Sequence, residues 1–109
     1  MKVCCRLWFD NDGKAFGQGP YRILLEVQKL GSLNQAAKEL DLSYNKAWKT
    51  IQMVEKRIGF KLLESASGGK TGGGSTLTPE AIEFLSRYER FKLEVDANIQ
   101  ATFDKYFPE

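Results

Sequence analysis

Apolar positions along this chain change their period several times, and each change marks an element. Over residues 2 to 10, KVCCRLWFD, Val3, Cys5, Leu7 and Phe9 fall on one side, the two-residue period of a strand. Asn11-Asp12-Gly13 supplies a turn, Asp12-Gly13 being a favoured hairpin pair, and Lys14 to Phe16 is a short return strand. Gly17 to Pro20 punctuates, with Pro20 suited to the first turn of a helix. From Tyr21 to about Leu30 the period becomes helical, with Ile23, Leu24, Val27 and Leu30 in one stripe.

Gly31 ends that helix and Ser32 caps the next, with Gln35 completing a capping box. LNQAAKEL, residues 33 to 40, buries Leu33, Ala36, Ala37 and Leu40, and its two alanines permit close approach of a neighbouring helix. After the break Asp41-Leu42-Ser43-Tyr44, with Ser43 as N-cap, a third helix places Ala47, Ile51, Val54 and Ile58 on one side. Gly59 stops it. Lys61 to Ser65 reads as a strand, a glycine-rich run follows, Ser75 to Thr78 is a second strand, and Pro79 opens a long helix reaching Phe107. The order is hairpin, three helices, strand, glycine loop, strand, helix. A β-hairpin directly after a helix-turn-helix is a wing. The fold class expected is therefore mainly α with a small β component: a winged helix-turn-helix over residues 1–78 and a C-terminal dimerisation helix over 79–109.

The glycine-rich run ESASGGKTGGGSTLTPE invites a nucleotide-binding reading through Gly69-Lys70-Thr71, but the spacing excludes it. A phosphate-binding loop needs a glycine where Glu64 stands and a helix beginning at the Lys-Thr pair, whereas Gly72-Gly73-Gly74 follows. The acidic turn around Asp12 fails as a calcium loop because Lys14 occupies a ligand position. The chain has no histidine, no nucleophile–base pair and no metal-ligand cluster, so neither an enzyme nor a cofactor is expected. Its two cysteines, Cys4 and Cys5, are adjacent, which reads as small apolar filler on a strand rather than a disulfide framework. With no signal peptide and no apolar run near the ~20 residues of a membrane span, a reducing cytoplasm is the expected setting.

The net charge of +2 says little, but its distribution says more. From Ser43 to Lys70 the charged residues are Lys46, Lys49, Lys56, Arg57, Lys61 and Lys70 against Glu55 and Glu64, while the last helix carries Glu80, Glu83, Glu89, Glu94, Asp96 and Asp104. With Ala47, Ile51 and Val54 inward, the third helix turns Tyr44, Asn45, Lys46, Lys49 and Thr50 outward. Asn pairs with adenine, Lys with guanine or phosphate, and hydroxyls with either. The preceding helix aims its first amides at a phosphate, assisted by Ser32, Asn34 and Gln35. On one helix alone such residues are ordinary solvated polar groups; their coincidence with the basic half of the chain favours double-stranded DNA as partner. In the wing, Lys70 is the expected phosphate contact, with Thr71 beside it. Trp48, next to a buried seam, is expected to pack.

These residues carry a family resemblance. GSLNQAAKELDLSYNKAWKTIQMVEKRIGFKLLE resembles the winged-helix head of the LysR-type regulators through its AA-x-x-L, Ser-initiated third helix and IG-x-x-L segments. SYNKAW followed by SGGKTGGGSTLTPEA is more specific, and is similar to the N-terminal DNA-binding domain of the molybdate-responsive (ModE-type) regulators. The resemblance covers nearly the whole chain. It implies a dimer of winged helices on operator DNA, with Ser43, Tyr44, Asn45, Lys46, Lys49 and Lys70 at the duplex. Full-length members of that family carry C-terminal molybdate-binding domains, and this chain ends at Glu109, so it resembles stand-alone heads whose effector the resemblance leaves open.

The last helix, some 28 residues, extends about 42 Å at 1.5 Å per residue. Leu85, Tyr88, Phe91, Val95, Ile99, Phe103 and Tyr106 continue an apolar seam along it, longer than a small head covers. A second copy covering that seam would form a two-fold homodimer, and hence address a pseudo-palindromic site. The competing arrangement is a helix that breaks at Asp96-Ala97-Asn98 and folds back on its head. A competing function is a winged-helix interaction module that does not read DNA.

Overall fold

The computed structural model describes residues 1–65 and 74–109. Two short strands, β1 (Phe9–Asp10) and β2 (Lys14–Phe16), form an antiparallel hairpin. They lead into α1 (Gln18–Leu30), α2 (Leu33–Glu39) and α3 (Tyr44–Ile58). A second antiparallel pair follows, β3 (Leu63–Ser65) and β4 (Ser75–Leu77), in the register Leu63↔Leu77, Glu64↔Thr76, Ser65↔Ser75. The chain closes with α4 (Pro79–Tyr106). Among the described residues no helix is long and apolar enough to cross a membrane.

Local chemistry sets the boundaries. Gly31 and Gly59 end α1 and α3 in the left-handed region, at φ 74° and 90°, where a glycine meets no steric penalty. Ser32 Oγ accepts from Gln35 N–H at 3.2 Å and Ser43 Oγ from Lys46 N–H at 3.0 Å, so both serines cap as read. Asp41, at φ 60°, makes the tight link from α2 to α3, and Leu42 N–H returns to Ala37 C=O at 2.8 Å. The core gathers Ile23, Leu24 and Val27 of α1, Leu33, Ala36 and Ala37 of α2, and Ala47, Ile51 and Val54 of α3. Leu62 and Leu77 close it from the second hairpin, and Phe16 from the first. Leu30, expected in the α1 stripe, is exposed in the last turn, at the rim of a depression it lines with α2.

Two further expectations are corrected. The strand read over residues 2 to 10 is only Phe9–Asp10, because the return strand offers three residues and no more for it to pair with. Residues 1 to 7 run along α4 instead: Val3 N–H donates to Gln100 Oε1 at 3.0 Å and Gln100 Nε2 donates to Met1 C=O at 3.3 Å. Cys4 and Cys5 are consequently exposed rather than strand filler. The long last helix is met, and α4 does not break near Asp96. It is one helix of 28 residues, with Lys92 and Asp96 paired across a turn at 3.5 Å, and it gives the molecule extents of 59 × 27 × 22 Å.

The first three turns of α4 belong to the head. Ala81, Leu85 and Tyr88 are buried, and Phe84 and Tyr88 meet Phe9 and Phe16 edge-to-face at centroid distances of 4.8 to 6.4 Å. Leu85 and Tyr88, expected in the seam for a second copy, are each only 3% exposed and are enclosed by this core. The open part of the seam therefore starts at Phe91, which is 45% exposed.

Candidate nucleic-acid interface

Burial of one face of α3 determines what its other face presents. Ala47, Ile51 and Val54 are locked into the core, which turns Tyr44, Asn45, Lys46 and Lys49 into solvent at the N-terminal end of the helix. Ser43 is exposed beside them, its Oγ engaged by Lys46 N–H. Lys56 extends the basic strip one turn past Gln52, so three lysines share the open side. Thr50 departs from the expectation: it is half-buried and its hydroxyl donates to Lys46 C=O at 2.8 Å, which removes its proton from any outside acceptor.

Trp48 departs further. It is 40% exposed rather than packed, one turn beyond Tyr44, which is 50% exposed. The spacing held the signal. Position 48 follows the buried Ala47 by 100° around the helix, at the edge of the inward arc rather than within it.

Two contacts hold α3 that the sequence did not announce. Glu55 Oε2 accepts from Leu62 N–H at 2.8 Å, with Lys61 at 3.8 Å from its other oxygen, so the foot of the second hairpin is fastened to the side of α3. At the helix C-terminus, Asn11 Nδ2 donates to Arg57 C=O at 2.8 Å and Arg57 Nη1 donates to Lys14 C=O at 3.1 Å. The first hairpin thereby supplies a donor to a carbonyl of the last turn, which has no intrahelical partner. Arg57, counted among the basic residues of the face, is used in this brace.

The remaining expected residues surround α3. Asn34 and Gln35 are exposed in the first turn of α2, and Ser32 is half-buried at its cap. Together with Lys38 and Gly74 they line a shallow depression between α2 and the second hairpin. Ser75 N–H donates to Gly31 C=O at 3.0 Å, setting the foot of β4 beside that depression. Lys70 and Thr71 lie outside the described residues. Ser32, Asn34 and Gln35 thus line one depression beside the second hairpin, while Ser43, Tyr44, Asn45, Lys46 and Lys49 stand exposed at the N-terminal end of α3.

Residues 20–82, the span holding this constellation, match the family model described as the bacterial regulatory helix-turn-helix protein, lysR family. The chain belongs to that family. Among curated relatives of this LysR-family chain, the transcriptional regulator ModE of Haemophilus influenzae is 44% identical over 68 residues, 62% of this chain and 27% of that protein. The molybdenum-pterin-binding protein MopB of Rhodobacter capsulatus is 30% identical over 96 residues, 88% of this chain and 35% of that protein. The chain thus spans between about a quarter and about a third of the length of these relatives. Among solved structures, the CbnR DNA-binding domain in complex with DNA superposes with a TM-score of 0.60 at 24% identity, covering 84% of this chain and 97% of that one. The BenM DNA-binding domain on its catB site 1 DNA gives 0.58 at 25% identity, with 77% and 88% covered. The winged helix-turn-helix expected from the pattern of apolar positions, and the likeness to LysR-type and ModE-type heads, are both met.

Proposed function

We propose that this chain is the DNA-binding head of a sequence-specific transcriptional regulator, acting as a homodimer on a pseudo-palindromic operator. The observation that carries the reading is the N-terminal half of α3. Its inward residues are fixed in the core, and its capped, outward end displays Asn45, Lys46 and Lys49 to solvent. Such a helix enters a major groove with its first residues at the base edges. The relatives support it by their names, two of the structural neighbours being DNA-binding domains bound to duplexes and the ModE proteins transcriptional regulators. The reading assigns Asn45 to bases, Lys46, Lys49 and Lys70 to phosphates, and Asn34 and Gln35 to the backbone flanking the groove.

The dimer half of the proposal rests on α4 beyond the head. Val95, Asn98, Ile99, Thr102 and Phe103 form an open, mostly apolar groove continuous with Phe91 and Tyr106. A second copy of the same helix matches it by two-fold symmetry.

The test is a binding titration against salt, using a duplex selected from random sequence. If Lys46, Lys49 and Lys70 of each protomer neutralise one phosphate, six counterions leave and log affinity falls against log salt with a slope of about −5. Replacing Lys46 and Lys49 by Ala removes four of these, leaving a slope of about −2 with dimerisation intact. A wild-type slope near zero, or a double variant indistinguishable from wild type, would reject the reading.

A further inference from the structure

The exposed apolar surface on α3 is not explained by phosphate binding. Tyr44 and Trp48 stand one turn apart, so their rings share one flank of the helix. Two turns beyond Trp48 on that stripe is Glu55, whose carboxylate holds Leu62 N–H at the foot of β3. The aromatic flank is therefore the one facing the second hairpin, and the lysine flank of Lys46 lies away from it. The aromatic cluster of the head packs Phe9, Phe16, Phe84 and Tyr88 against one another. Trp48 and Tyr44 are not in that cluster, and two large rings one turn apart on the exposed N-terminal half of a helix whose other outward residues there are polar call for an occupant.

Resting on the regulator reading, we infer that Trp48, supported by Tyr44, is a specificity-determining residue whose ring covers the 5-methyl group of a thymine in each half-site. In the major groove the base edges present hydrogen-bonding atoms and a single apolar group, that methyl. An indole offers one donor and a broad apolar face, so it has little to gain from guanine or cytosine edges and much from covering a methyl. Asn45 sits on the adjoining exposed arc, so one helix would read a polar edge and a methyl side by side.

Deoxyuridine, which lacks only the methyl, provides the test. In the duplex recovered by selection, each thymine of a half-site is replaced in turn, symmetrically in both halves. Binding by wild type, Trp48→Ala and Trp48→Phe is then measured. At one thymine position the wild type should lose about fourfold per half-site, the equivalent of one buried methyl. Trp48→Ala should bind the thymine duplex correspondingly more weakly and show no further loss with deoxyuridine, while Trp48→Phe keeps part of the sensitivity. Because Trp48 is half in solvent, its thermal midpoint serves as a check that the variant is folded. If the losses from Trp48→Ala and deoxyuridine simply add at every position, the ring packs on sugar or elsewhere and the inference is wrong. If Trp48→Ala weakens random duplex as much as the selected one, it is wrong in the same way. Wild-type protein that binds no duplex at all sinks the regulator reading itself, a result distinguishable from either.

Discussion

Thr78 joins the head to the long helix, and its hydroxyl is the most testable single group in the fold. The residue is 6% exposed. Its Oγ1 donates to Lys61 C=O at 2.7 Å and accepts from Ala81 N–H at 3.1 Å, capping α4. Its backbone adds two more links, N–H to Leu62 C=O at 2.9 Å and C=O from Ile82 N–H at 3.0 Å. Thr78→Val keeps the shape and both backbone links while deleting the hydroxyl. The lost cap is worth about 1 kcal/mol. The lost bond to Lys61 C=O adds about another 1 kcal/mol, since that carbonyl is left part-buried without its donor. A total near 2 kcal/mol corresponds to a fall in Tm of about 8–10 °C for a domain of this size.

Urea unfolding followed by helix ellipticity at one fixed protomer concentration gives the free energy, since a dimerising chain has a concentration-dependent midpoint. Thr78→Ser is the control. It retains the hydroxyl and loses one methyl, so it should cost less than about 1 kcal/mol. Equal losses for Val and Ser, or a loss for Val below about 0.5 kcal/mol, would show that the hydroxyl does not fasten the hairpin foot to α4.

Tyr21 gives a pH dependence. Burial first, then the hydrogen bond it donates to Glu89 at 2.8 Å, push its phenol up from 10.0 to about 12. A folded-state value above the unfolded one means the contribution is complete below pH 10 and is lost as the pH climbs toward 12. The stability gap between wild type and Tyr21→Phe should therefore close over that window, and a pH-independent gap would count against it. Gly13 sits at φ 123°, where an added Cβ would run into the Arg57 guanidinium. Gly13→Ala should cost about 2 kcal/mol in urea unfolding, and less in an Arg57→Ala background where only the backbone strain remains. Ile99→Glu places a charge in the seam beyond the core, so sedimentation should report a monomer with the head still folded. A dimer of unchanged affinity would move the interface elsewhere.

Much of this architecture was legible because its boundaries are chemical. Serines 32 and 43 cap, glycines 31 and 59 stop in the left-handed region, and Pro79 starts α4, each through a local rule that needs no partner. What was illegible depended on partners far along the chain. The alternation of Val3, Cys5, Leu7 and Phe9 describes a strand's face but not whether another strand exists to pair with it, and α4 takes that segment through Gln100 instead. Leu85 and Tyr88 are spaced like the rest of the seam, so periodicity does not show where the head stops and the free rod begins. The Asn11–Arg57 brace spans 46 residues and leaves no periodic trace. In the candidate site, the polar residues of α3 were readable from the inward Ala47, Ile51 and Val54. Trp48 was not, because a tryptophan beside a buried seam more often packs, and only its angular position on the helix marks it as open.

One helix therefore has two roles, and their junction matters for function. The first turns of α4 are clamped by Thr78 to the second hairpin and by Phe84 and Tyr88 to the aromatic cluster around Phe9 and Phe16. Phe91, stacked edge-on against Phe9 at 5.5 Å, is the last ring of that cluster and the first residue of the open seam. The same two hairpins fasten α3, the second through Glu55 and Leu62 and the first through Asn11 and Arg57. Thus α3 and α4 are tied to common supports, and rotation of α4 against the head works against the contacts that both hairpins make near the C-terminal end of α3. In the proposed dimer, the separation of the two α3 helices then follows from where the rods cross. A substitution at the clamp, such as Thr78→Val, should loosen the tolerance for half-site spacing as well as lower stability, whereas one at the lysines should weaken binding at every spacing alike.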